Sequence, residues 1–119
     1  MGLLFQTTVI DCNDARRVGG FWAELLGMPL ESDDDGTEHW IDFGPDGRDL
    51  LFLTVPDRKS GKNRLHIDLR PDDQAAEVER ALALGARHVD IGQGQQTWVV
   101  LADPEGNEFC ILRALKPDE

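Results

Sequence analysis

The sequence predicts an α+β domain built from two tandem βαβββ modules. Three observations predict it: an internal repeat, two amphipathic helical segments that each stop at a glycine, and strand-turn-strand segments after each helix. The repeat runs at an offset of 58, so that Leu26-Gly27 recurs as Leu84-Gly85, Gly36 as Gly94 and Trp40 as Trp98. That period is too long for a solenoid unit and fits one supersecondary module used twice. The expected organisation is a single domain over residues 1–119, with module one at 1–56, a connector at 57–62 and module two at 63–115. Two such modules are expected to form a curved mixed sheet around a cleft.

Each element has a local reason. Residues 3–10 are rich in Phe, Thr, Val and Ile and predict a strand. Asp11, Asn13 and Asp14 supply turn chemistry and an N-cap, and Val18, Phe21, Trp22 and Leu25 then recur at helical spacing until Gly27. Trp22 belongs to that apolar stripe and is expected in the core. Strands are predicted over 28–31, 38–43 and 49–55, separated by the acidic turn at 32–36 and by Gly44-Pro45-Asp46-Gly47. After the connector the pattern restarts. A strand is predicted over 64–69, with Asp72 as N-cap and a helix through Val78, Leu82 and Leu84 to Gly85. Strands over 88–91, 97–102 and 108–112 complete the module, the last two joined by Asp103-Pro104-Glu105-Gly106-Asn107.

Side chains alternate across a strand, and 58 is even, so equivalent strands are expected to keep the same phase. One face then collects Ile41, Leu51, Leu53, Ile67, Leu69, Val99, Leu101, Phe109 and Ile111, the core beneath the helices. The other collects Gln6, Thr8, Trp40, Phe52, Arg64, His66, Asp68, Trp98 and Cys110, aromatics mixed with a few ionisable groups. These are the candidate ligand-binding residues, since aromatic walls with convergent polar groups are the usual lining of a small-molecule cleft. His39 and His88 are expected to be surface groups. Asp68 follows His66 by two residues, about 7 Å at strand rise, beyond direct hydrogen bonding unless the side chains lean together.

Composition excludes several function classes. With 23 acidic against 12 basic residues and a net charge of −11, the chain is expected to repel phosphate backbones and anionic lipid, so neither nucleic acid nor membrane is an expected partner. No segment approaches 18 consecutive apolar residues, and no secretory pattern opens the chain. Cys12 and Cys110 have no CxxC spacing, which predicts free thiols and a cytoplasmic location.

The segments "FWAELLGM", "NRLHIDLRPDD" and "WVVLADPEGNEFCIL" resemble the vicinal oxygen chelate superfamily, in particular its glyoxalase-like and bleomycin-resistance-like domains, over nearly the whole chain. The resemblance implies paired βαβββ modules around a cleft, commonly in a homodimer. In metal-dependent members it implies a divalent ion held by four side chains, one on the first and one on the last strand of each module. Those positions fall here on Gln6 or Thr8, Phe52, His66 and Cys110, of which only His66 is a standard ligand. No cofactor is therefore expected. A three-ligand zinc set of His66, Glu108 and Cys110 stands as the alternative. The expected function is metal-independent binding of a small aromatic or cationic molecule, with Arg64, His66 and Asp68 fixing its polar ends. The alternatives are a glyoxalase-type lyase, isomerase or dioxygenase in which His66 is the best catalytic candidate, and a regulatory or interaction domain.

Overall fold

A computed structural model describes residue 2 and residues 4–119, so the predicted strand start at residue 3 lies outside the described residues. The chain divides into two compact units, Met1–Arg58 and Lys59–Glu119. Each has the predicted βαβββ order, and each holds one helix and one four-stranded mixed sheet.

Unit one contains β1 (Thr7–Cys12), α1 (Ala15–Leu26), β2 (Glu31–Ser32), β3 (Glu38–Ile41) and β4 (Asp49–Thr54), in the sheet order β1-β4-β3-β2. β1 runs parallel to β4, while β3 is antiparallel to both neighbours. Asp14 starts α1 by accepting the Arg17 N–H at 3.1 Å, and Gly27 ends it at φ 65, a left-handed conformation that only glycine adopts without strain. The stripe of Val18, Phe21, Trp22 and Leu25 is buried as predicted, and Trp22 meets Phe21 edge to face at 5.7 Å. α1 packs on β3 and β4. Gly19 sits at this contact, where a Cβ would lie 3.1 Å from the Phe52 ring and from Leu30.

Unit two contains β5 (Ile67–Leu69), α2 (Gln74–Leu84), β6 (Arg87–His88), β7 (Val99–Ala102) and β8 (Glu108–Ile111), in the order β5-β8-β7-β6. The N-cap of α2 is Asp73, not Asp72: its carboxylate accepts the Ala76 N–H at 3.1 Å. Gly85 closes the helix. α2 buries Val78 and Ala81 and packs on β8. The turn before β8 is built around fully buried Asp103, which accepts the N–H groups of Glu105 and Asn107 and the Asn107 side-chain amide at 2.9 to 3.1 Å.

Strand phase in unit one departs from expectation. His39 pairs with Phe52 and Ile41 with Leu50, and all four are buried on the α1 side. Leu51 and Leu53 are the residues on the opposite face, with Trp40 and Val9 as register partners of Leu51. The cause is a repeat whose offset drifts. Gly27 matches Gly85 at 58, but the N-caps Asp14 and Asp73 are 59 apart. Counting four residues back from each cap, Ile10 corresponds to Leu69, and their register partners Phe52 and Ile111 are again 59 apart. A one-residue slip moves every side chain of a strand to the other face.

Candidate functional site

Module two presents a recess of about 290 Å³ on the sheet face turned away from α2. Register places its residues. Asp68 lies directly across from Cys110, and Val100 from Cys110 on the other side, so the three share one face. His66 precedes Asp68 by two positions, and Trp98 precedes Val100 by two, which brings both onto that face. Trp98, Val100, Ile91 and Leu112 form the apolar wall; His66, Asp68, Cys110, Glu108, Lys62 and Gln93 complete the lining. Trp98 is 36% exposed although it is a large aromatic, and Val100 and Cys110 are buried at the floor.

The polar corner is tighter than strand geometry alone suggests. His66 Nε2 lies 3.1 Å from Asp68 Oδ1, because both side chains are half exposed and lean together across the ordinary two-residue rise. One ligand-type atom from each of His66, Asp68 and Cys110 falls within 4.8 Å of the others. Burial, then the negative charge of Asp68 and a hydrogen bond to it, push the Cys110 thiol above its ordinary range. A thiol so placed is a weaker nucleophile than one whose pKa is lowered.

Glu108 does not join this corner. Its carboxylate accepts the Asn63 N–H at 2.8 Å and the Lys59 ammonium at 3.2 Å. Burial alone would raise its pKa, but the Asn63 amide and Lys59 outweigh it and hold the carboxyl below its usual value. Asp68 occupies the place expected of Glu108 in the three-ligand set.

The expected site residues therefore separate. His66, Asp68, Trp98 and Cys110 come together in module two. Phe52 is no lining residue: it is fully buried against α1. Trp40 is half buried on the face of the unit-one sheet opposite α1, beside Leu51. Thr8 registers with Leu50, a helix-side residue, and Gln6 is exposed ahead of β1. Arg64 is exposed and outside the recess lining, where Lys62 stands instead. Lys62 and Gln93 were not foreseen, since irregular segments carry no periodicity that would assign them to a face, and Ile91 was not foreseen because the strand predicted over 88–91 ends at His88. His39 is not a surface group. It is buried, its Nε2 donates to the Gly36 carbonyl at 3.2 Å, and its Nδ1 accepts from the Ser32 hydroxyl at 2.7 Å. His88 is exposed on β6 as expected.

The four-donor ion implied by the resemblance does not fit module one. At the drifted offset, the counterparts of His66 and Cys110 are Thr7 and Leu51, a hydroxyl and a hydrocarbon. Neither is a useful ligand for a hard divalent ion.

A family model described as a glyoxalase-like domain matches residues 7–112. Among solved structures, a glyoxalase/bleomycin resistance protein/dioxygenase family enzyme from Burkholderia phytofirmans PsJN is 19% identical, with a TM-score of 0.70 over 92% of this chain and 98% of its own. The trypanothione-dependent glyoxalase I of Leishmania major is 17% identical, with a TM-score of 0.64 over 94% and 87%. Oxidase ChaP-H1 is 21% identical, with a TM-score of 0.67 over 96% and 98%. No curated protein matches the chain. At such identities the solved structures speak to the fold alone. Among the described residues no helix is long and apolar enough to cross a membrane.

Proposed function

The chain belongs to the glyoxalase-like domain family, and from that premise we propose that it binds a small organic molecule in the module-two recess without needing the four-donor ion of its metal-dependent relatives. The observation that carries the reading is the composition of the recess: a half-exposed indole, Trp98, and aliphatic Val100, Ile91 and Leu112 facing a polar corner of His66, Asp68 and Cys110. A few convergent polar groups against an apolar wall fix the orientation of a small guest while burial supplies the affinity. The recess volume of about 290 Å³ suits a compact, ring-sized molecule.

The guest chemistry follows from the side chains. Trp98 offers a flat face for an aromatic ring or a cation. Asp68 accepts hydrogen bonds from an amine or amidine, and the net charge of −11 favours a cationic guest over an anionic one. Sequestration asks no more of the site than this binding.

Mass spectrometry under native conditions, on protein purified without chelator or metal, tests the reading. A bound organic mass that is absent from Trp98→Ala but retained by Trp40→Ala is the expected outcome. Retention of the adduct by Trp98→Ala would exclude the recess as its site.

A further inference from the structure

From Lys62 and Asp68 we infer that the guest of the module-two recess is a zwitterion, a flat-ringed molecule of the aromatic amino acid class whose carboxylate meets Lys62 and whose ammonium meets Asp68. The inference rests on the organic-ligand reading and narrows it, with Lys62 as the residue that sets specificity. Three observations carry it. The first is the presence of opposite charges around one floor residue. Asp68 faces Cys110 across the β5–β8 ladder, Lys62 lines the same recess, and beyond the effect of burial the charges of both are felt at the Cys110 sulfur. Glu108 adds no further charge, because the Lys59 ammonium stands 3.2 Å from its carboxylate and offsets it. Apart from the His66 imidazole, the lining thus balances one cation against one anion in a chain whose net charge is −11. A guest with an ammonium alone would leave Lys62 facing a like charge, and a guest with a carboxylate alone would do the same to Asp68.

The second observation is that both charged groups have bonding capacity left. Lys62 Nζ donates to the neighbouring Asn63 carbonyl at 3.2 Å, and among the described residues no carboxylate stands within ion-pair distance of it. An ammonium has further N–H donors to give a guest carboxylate. Asp68 accepts the Cys110 thiol and has His66 Nε2 at 3.1 Å from one oxygen, yet a carboxylate offers about four acceptor sites and can take a guest N–H as well. The third observation is the placement of Lys62 in a segment tied down on both sides. Asn63 donates its backbone N–H to Glu108 Oε1 at 2.8 Å and its side-chain amide to the Glu108 carbonyl at 3.2 Å, while Lys59 holds Oε2 of the same residue. The backbone that carries Lys62 is therefore held at the start of β8, which lowers the ordering cost of using its side chain. Trp98, in the same lining, supplies the flat face against which the ring of such a guest stacks.

Isothermal titration calorimetry with matched probes reads this directly: phenylalanine, 2-phenylethylamine, which lacks the carboxylate, and 3-phenylpropionate, which lacks the ammonium. The wild-type protein should bind phenylalanine at least about threefold more tightly than either of the others, the scale of one solvent-accessible ion pair. In Lys62→Met, an exposed position where the aliphatic stem is kept, phenylalanine should fall to the affinity of 2-phenylethylamine. The amine itself, relieved of a like charge, should bind no more weakly than before. Phenylalanine bound no better than 2-phenylethylamine by the wild-type protein would overturn the inference and leave the organic-ligand reading standing. A preference that survives Lys62→Met would overturn it in the same way. Binding of none of the probes at millimolar concentration would overturn both.

Discussion

The two modules share a fold and differ in what they present. Taken at the drifted offset, the sheet face away from the helix reads Thr7, Val9, Leu51 and Leu53 in module one and His66, Asp68, Cys110 and Leu112 in module two. Backbone pairing is the same in both halves: a parallel pair beside an antiparallel meander. Of these matched residues, the ionisable ones lie in module two alone. The helix-side faces, by contrast, are mainly apolar in both, with His39 and Thr8 as polar members in module one, because each must be covered by an amphipathic helix whatever the open face does. Duplication thus preserves the buried face and leaves the open face free to diverge.

Substitutions at matched positions sharpen that comparison. The largest effect is expected from Phe52→Ala, which empties a fully buried site beneath α1 and should cost about 3–5 kcal/mol in chemical denaturation. Its neighbour Leu51, half buried on the open face, should cost only about 1–2 kcal/mol as Leu51→Ala. Equal costs would mean that the strand phase is wrong.

Next come the hairpin turns. Asp103→Ala leaves two backbone N–H groups and one side-chain amide without their buried acceptor, and a loss of about 2–3 kcal/mol is expected. In module one the turn before β4 uses exposed Asp42, which accepts only the Gly44 N–H at 2.8 Å, and Asp42→Ala should change stability by about 0.5 kcal/mol or less.

A pH-dependent effect concerns Glu108. Its carboxyl titrates below the ordinary 4.5, so its contribution is present above that value and is lost as pH falls through the lowered folded value. Glu108→Gln should therefore be less stable than the parent by about 1 kcal/mol at neutral pH, with the two curves converging once pH falls below the lowered folded value. A gap that stays constant down to pH 3 would assign the difference to packing and not to charge.

The fold was largely legible in the sequence because its signals are local. Asp14 caps one helix, Gly27 and Gly85 end both, and the Asp103 turn closes the second module as read. Module two also gave its strand phase, since "HIDL" and "EFCI" alternate between apolar and polar or thiol residues. Module one did not. "LLFL" over residues 50–53 is apolar throughout, and a continuous apolar run carries no phase. Phase was borrowed instead from the offset of 58 seen at Gly27 and Gly85, whereas the N-caps and strands sit at an offset of 59, and that one-residue difference inverted it. The Trp40–Trp98 match misled for the same reason. Trp40 and Trp98 both lie on the sheet face away from their helix, but Trp40 registers with Leu51, and the counterpart of Leu51 is Cys110, which registers with Val100; Trp40 thus corresponds to Val100 and not to Trp98. Among site residues, His66, Asp68, Trp98 and Cys110 were readable from strand alternation, whereas Lys62, Ile91 and Gln93 enter from irregular segments.

The contrast between the halves is tested most directly by titrating isotope-labelled protein with a set of small aromatic amines and mapping the amide shifts by NMR. Binding in the module-two recess predicts shifts concentrated at residues 66–68, 98–100 and 110–112, lost in Trp98→Ala. Shifts concentrated instead at residues 7–12, 38–41 and 49–54 would contradict the account.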